Sequence, residues 1–353
     1  MKKIISVSPI AAITLLILLA GSCVTPQTTG KNELTKRYFD AWIQIHHPGI
    51  NPTPLGSVII SDTPGSGETL GDSETTPYVY CTYKSTDLEG NIQLYTDEAT
   101  AKQLGTYAVS TYYGPQVLNR NASSVSGGLD EILQTMSVGG TRTAVIPGWL
   151  LSSERYDTAE EYLENCSGSD AIWTLTVHEA IPDVVQWEID SISRYISRHH
   201  PGLDSTSFGY YYIQTQEPLD TTSFEGGDEV YINYTGRLLN GRVFDSTIAD
   251  TTKKYRIYSA SKDYGPLQVT LPESGSETVT ITSSSSSTVQ GFGKAVSSMK
   301  AGEKGICIFY SGLGYGESST TVMIPPYSPL IFELHMLGKN EDGSIDDDEL
   351  DKD

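Results

Sequence analysis

The chain has 353 residues, with 44 acidic against 23 basic side chains and a formal net charge of −21 at pH 7. Such a surplus excludes a nucleic-acid binder of the usual kind, because no basic stripe remains to displace counterions along a phosphate backbone. The length predicts two domains.

Lys2 and Lys3 precede an apolar run from Ile10 to Ala20, too short to span a bilayer, so the start reads as a secretory signal. Ala20-Gly21-Ser22-Cys23 resembles the bacterial lipobox, with Ala20 where Leu is commoner. That resemblance implies a signal peptide over 1–22, a lipid-modified Cys23 as mature N-terminus, and a tether over 23–32. An ordinary signal peptide with a chance cysteine is the alternative. Cys81, Cys166 and Cys307 are left, an odd number without a CxxC spacing, and Cys81 and Cys307 lie in apolar strand-like runs that suit buried free thiols.

The pentapeptide His46-His47-Pro48-Gly49-Ile50 returns as His199-His200-Pro201-Gly202-Leu203. In both places an amphipathic stretch ends at Pro-Gly and a β-rich run follows, the trace of an internal duplication. In 183–199, Val185, Ile189, Ile192 and Ile196 fall on one helical face; Leu34, Tyr38, Ala41, Trp42 and Ile45 do the same in the first copy. Pro48 and Pro201 stop these helices, so the His pairs are expected to cap helix ends rather than hold a metal. Later in the second copy, Val230, Ile232 and Tyr234 alternate along a strand, and Asn240-Gly241 supplies a hairpin turn before Val243 and Phe244. Phe292, Ala295, Val296 and Met299 mark a short helix within 289–304, and 304–312 and 329–337 read as strands. Ser and Thr crowd 282–288, a surface loop. Residues 339–353 carry eight acids and two lysines and read as a solvated, disordered tail. A calcium loop there lacks Asp or Asn at one of the ligand positions ahead of Gly343, the first, where Gly338 stands.

The blocks VYINYTGRLLNGRVFDST, VQGFGKAVSSMKAGEKGICIF, LGYG and IPPYSPLIFELHML follow in that order through 229–337. Together they resemble the FKBP family of peptidyl-prolyl cis-trans isomerases, and the layout is similar to envelope lipoproteins of Bacteroidetes-like bacteria. The resemblance implies an α+β protein of two tandem FKBP-like domains, 33–182 and 183–338. Each would be a bent antiparallel β-sheet wrapped on a short α-helix and preceded by an amphipathic helix. It also implies a pocket formed by Tyr234, Phe244, Asp245, Val289, Phe292, Tyr315, Ile324 and Phe332. Phe292 stands where most members have Trp, and Leu267 matches a further pocket position loosely, because 246–288 is longer than in compact members.

An apolar pocket suits prolyl isomerisation. Rotation about X-Pro breaks amide resonance against a barrier of ~18–20 kcal/mol, and the twisted state has less charge separation than the planar amide. No nucleophile, metal or cofactor is required. The resemblance implies that Phe244, Phe292, Phe332, Val289 and Ile324 enclose the proline ring. Tyr315 and the Ile324 N–H would hold substrate carbonyls, and Asp245 would orient Tyr234. The first copy keeps the scaffold in 78–97 and 125–151, with Tyr83 opposite Tyr234, Gly90 opposite Gly241 and Met136 opposite Met299. Its functional positions differ: Gln93 and Leu94 stand for Phe244 and Asp245, and Leu129 for Phe292. LLSS replaces LGYG, and ENCS replaces IPPY. The first domain is therefore expected to be degenerate.

The expectation is a lipid-anchored protein of the bacterial cell envelope, on the periplasmic or surface side of the outer membrane, whose second domain isomerises proline-containing client polypeptides. A non-catalytic peptide-binding chaperone or an assembly subunit is the alternative. Peptide isomerisation without aggregation suppression, or the reverse, separates the first two.

Overall fold

The computed structural model describes residues 32–342 except 205, 207, 220, 222, 274–276 and 319–321. The signal segment, Cys23, the tether up to residue 31 and the acidic tail from residue 343 lie outside the described residues.

The chain folds as two antiparallel sheets, each with a helix leading in. The first half runs α1 (Glu33–His46), β1 (Val58–Thr63), β2 (Tyr78–Thr86), β3 (Ile92–Tyr95), α2 (Glu98–Leu104), β4 (Gln116–Asn119), α3 (Gly127–Gln134), β5 (Thr141–Ile146), α4 (Ala159–Asn165) and β6 (Ala171–Ile181). The second runs α5 (Val184–His199), β7 (Tyr210–Gln216), β8 (Glu229–Leu238), β9 (Val243–Ser246), α6 (Ala249–Lys254), β10 (Leu267–Thr270), β11 (Thr280–Ile281), β12 (Ser286–Ser287), α7 (Gln290–Val296), β13 (Lys304–Phe309) and β14 (Leu330–Gly338). The first sheet is ordered β1-β5-β6-β2, with β3 and β4 both paired to β2; the second is ordered β7-β13-β14-β8, with β9 and β10 both paired to β8. The two halves thus share one topology, and β11 and β12 extend only the second sheet.

Alternation along β8 turns Val230 and Ile232 inward onto α7, where Phe292, Ala295 and Val296 are buried. The helical pattern expected through Met299 ends at Val296; Met299 is still buried, carried by turns after the helix. The Asn240-Gly241 turn forms, with Gly241 at φ 83° donating its N–H to Leu238 O. Cys81, Cys166 and Cys307 are buried free thiols, and burial pushes those of Cys81 and Cys307 up to about 12.

The first leading helix buries a face one step away from the expected one, and the second buries the expected face with one exchange. In α1 the buried residues are Phe39 and Ile43, while Leu34, Tyr38 and Ile45 are 68%, 56% and 74% exposed. The buried side packs into the core of the first sheet, where Phe39 meets the ring of Trp149 edge-on at 5.6 Å. In α5, Ile189, Ile192 and Ile196 are buried as expected, but Val184 takes the place of the exposed Val185, and the buried Glu188 shares their face. The His pairs close both helices alike. The N–H of His47 donates to Ile43 O and that of His200 to Ile196 O, while His46 stacks on Trp42 and His199 on Tyr195.

The halves meet through the loop after α2. Tyr112 donates its N–H to Val322 O at 2.7 Å, and Arg242 reaches back to the carbonyls of Val109 and Thr111. The rings of Tyr78 and Tyr327 cross edge-on at 5.3 Å.

Candidate active site

The site lies on the second sheet, between β8, β9, β14 and α7. Tyr234 comes from β8, Phe244 and Asp245 from β9, Phe332 from β14 and Phe292 from the first turn of α7. Phe332 is the hub. Its ring meets Phe292 at 5.2 Å, Phe244 at 5.6 Å and Tyr234 at 5.9 Å, all edge-to-face, and stacks on Phe309 at 5.9 Å. Such edge-on contacts suit the aromatic quadrupole and hold the rings as walls rather than as a collapsed stack. Ile324 is buried in the same apolar cluster, and Val289, Leu267 and Tyr315 pack against it half-buried.

The polar edge is built on one pair. Tyr234 donates its hydroxyl to Asp245 Oδ2 at 2.7 Å. Burial first, and then the charge of Asp245, raise the Tyr234 pKa far above its ordinary value, so it stays a neutral donor. Burial and the same carboxylate also raise that of Tyr315, a second hydroxyl near the pocket. The eight residues expected from the sequence are therefore brought into one neighbourhood.

Lys262 was not foreseen. Its ammonium forms a salt bridge with Asp245 Oδ1, both side chains being about a third exposed. It comes from the loop between α6 and β10, inside the stretch that aligns loosely in sequence. The structure shows that this stretch repeats one in the first domain. Tyr258 stacks on Tyr264 as Tyr107 does on Tyr113, and the hydroxyls of Tyr264 and Tyr113 accept the N–H of Ser259 and Ala108. The repeated Tyr-Gly-Pro at 113–115 and 264–266 was the available signal. In that register Thr111 stands where Lys262 does, so the first domain lacks both members of the salt bridge.

The first sheet holds a different set. Strand pairing sets Leu94 opposite Ser85 as Asp245 is opposite Gly236, with Gln93 where Phe244 stands. Leu129 occupies the third position of α3, as Phe292 does in α7. One functional position is kept, and sequence reading missed it: Trp173 pairs with Ser85 as Phe332 pairs with Gly236. Tyr83 and Trp173 lie 5.7 Å apart, much as Tyr234 and Phe332 do.

A bent antiparallel sheet closed on a short helix, with an aromatic pocket edged by a tyrosine–aspartate pair, defines an FKBP-type fold and site. The model of the FKBP-type peptidyl-prolyl cis-trans isomerase family matches residues 220–337. The chain is similar to FK506-binding protein 1B of Aspergillus fumigatus, 31% identical over 120 residues, which is 34% of this chain and 84% of that protein. It is also similar to FK506-binding protein 59 of Drosophila melanogaster, 29% identical over 138 residues, 37% of this chain but 26% of that longer protein. Among solved structures, the three FKBP domains of wheat FKBP73 cover 79% of this chain and 92% of their own, at 14% identity and a TM-score of 0.27. The chain belongs to the family of FKBP-type peptidyl-prolyl cis-trans isomerases.

Proposed function

We propose that the second domain carries the isomerase activity, that the first does not catalyse, and that the substrates are proline-containing polypeptides of the cell envelope. The observation behind this is the asymmetry of the two sites. Phe244, Phe292 and Phe332 with the Tyr234–Asp245 pair stand together on one sheet; the other has Gln93, Leu129 and Leu94 at three of those places. The proline ring enters among the three phenylalanines and leaves water behind. A planar amide, which water stabilises through its charge separation, is then less favoured relative to the twisted state, and the rotation barrier falls. Tyr315 and the backbone N–H of Ile324 hold the flanking carbonyls, and Asp245 fixes the hydroxyl of Tyr234 beside the rotating one.

Equivalent substitutions in the full chain test this. Phe332→Leu is expected to lower kcat/KM on a chromogenic X-Pro peptide by at least about tenfold, or ~1.4 kcal/mol of transition-state stabilisation. Trp173→Leu is expected to leave it unchanged. Equal losses would refute the division of labour. Suppression of aggregation without any peptide isomerisation would assign the protein to non-catalytic binding.

Envelope localisation rests on the sequence before the folded part. With Cys23 lipidated, several acyl chains hold the protein where one would bind marginally. Cys23→Ser is expected to appear in the soluble fraction; a variant still bound after a carbonate wash would refute the anchor.

A further inference from the structure

The outer face of α1 carries apolar residues that the fold does not require. Leu34, Tyr38, Ala41 and Ile45 fall on one stripe of the helix, opposite the buried Phe39 and Ile43, and all four are exposed. The internal duplication shows what the same helix needs elsewhere. With His46 aligned on His199, the core positions Phe39 and Ile43 become Ile192 and Ile196 in α5, both buried. Tyr38, Ala41 and Ile45 become Ser191, Arg194 and Arg198. Leu34 becomes Trp187, whose ring lies 5.4 Å from that of Tyr80 in the first sheet. Of the two leading helices, α1 therefore leaves an apolar stripe open among the described residues, and α5 does not.

The position of the stripe says what covers it. The start of α1 is pinned, since the side chain of Asn32 donates to the carbonyls of Leu163 and Cys166. Cys23 stands nine residues before Asn32. A chain of that length reaches about 30 Å at full extension, so a lipid on Cys23 keeps α1 within that distance of a bilayer. Charge offers no rival attraction. Lys36 pairs with Asp40 and Arg37 with Glu33, so these four cancel, and a net charge of −21 does not favour anionic headgroups. Asp87, Glu89 and Asp170 border Tyr38, and such carboxylates must stay hydrated. A layer of uncharged headgroups, wet above and apolar below, meets both demands; a dry protein interface does not.

We propose that α1 is a membrane-contact helix. It lies flat on the bilayer that holds Cys23, with Leu34, Tyr38, Ala41 and Ile45 in the boundary between uncharged headgroups and acyl chains. The inference rests on the anchor proposed above. The tether supplies the local concentration, so a stripe too small to bind alone still sets how the first domain sits on the membrane.

The chain from Cys23 onward, coupled through the Cys23 thiol to a maleimide lipid in phosphatidylcholine vesicles, tests the contact independently of lipidation in the cell. Cys81, Cys166 and Cys307 are buried and do not compete for the maleimide. Ile45→Trp and, as a control, Val185→Trp place an indole where the native side chains are 74% and 44% exposed. With bromine on the acyl chains, the fluorescence added by Ile45→Trp is expected to fall about twofold, because an interfacial helix sits ~5–10 Å into the headgroup and acyl boundary. That added by Val185→Trp is expected to stay the same. An Ile45→Trp signal indifferent to bromine overturns the proposal. So does a dimer of the uncoupled chain that Ile45→Asp dissociates, which gives the stripe to a second copy. Quenching in the coupled protein, with Cys23→Ser still membrane-bound in cells, supports the contact and removes the lipid anchor instead.

Discussion

At Gly236 an added Cβ would lie 2.4 Å from Cε2 of Phe244, so the ring that walls the second pocket needs glycine beneath it. The first domain has Ser85 at that register and Gln93 in place of Phe244, so the ring and the space for it are absent together. Gly236→Ala is expected to push Phe244 aside and lower peptide isomerisation by about tenfold, the effect of a misplaced pocket wall. Circular dichroism should show the sheet retained; wild-type activity in this variant would mean that Phe244 is not a wall. Tyr315→Phe keeps the shape and removes one donor worth about 0.5–1.5 kcal/mol, so kcat/KM should fall roughly two- to tenfold. Phe332→Ala should be the worse of the two, because four aromatic rings meet it. A stability loss of about 3–5 kcal/mol by urea unfolding should accompany its loss of activity.

The helix α5 is held to the second sheet by a buried carboxylate. Glu188, 1% exposed, accepts the N–H and the hydroxyl of Ser311, both at 2.6 Å, just where β13 turns toward Tyr315. Burial raises its pKa from 4.5 to about 6, against the opposing effect of the two Ser311 bonds. Below pH 4.5 the folded and unfolded chains both hold the proton and Glu188 costs nothing. Between 4.5 and 6 only the folded chain keeps it, so stability falls as pH rises. Above that window the cost levels off at about 2 kcal/mol, from 1.36 kcal/mol per pH unit. Glu188→Gln carries no proton to lose. The difference in unfolding free energy between variant and wild type should therefore grow in the variant's favour from pH 4.5 to 7. A constant difference across that range would show that Glu188 is ionised throughout.

For the whole molecule, shared topology predicts that each half folds alone, and the separate site chemistries predict that only one half is active. Fragment 183–338 should isomerise an X-Pro peptide, and fragment 33–182 should give the circular dichroism of a folded sheet without activity. The first fragment should be slower than the full chain, because Val322 O then loses the N–H of Tyr112 and the segment leading into Ile324 loses its support. Activity in 33–182 equal to that in 183–338 would contradict the asymmetry of the sites.

Local pattern determined much of this protein. Alternation in β8, the Asn240-Gly241 turn and the ordered blocks through 229–337 specify the second sheet and the residues around its pocket, because strand period and turn geometry are properties of neighbours in the chain. The repeated His-His-Pro-Gly marked two copies of one topology. Which face of α1 is buried was not legible, since Phe39 and Ile43 pack into a core whose members, Trp149 among them, lie far along the chain. Lys262 was missed for a related reason: its link to Asp245 spans a loop whose length obscures the register. Trp173 became visible as the counterpart of Phe332 only when β6 and β14 could be compared strand by strand. The contact between the halves could not be read at all, because Tyr112, Arg242 and Tyr327 each meet a partner in the other half of the chain. Contacts between distant segments are chosen by packing, and packing exists only in the folded chain.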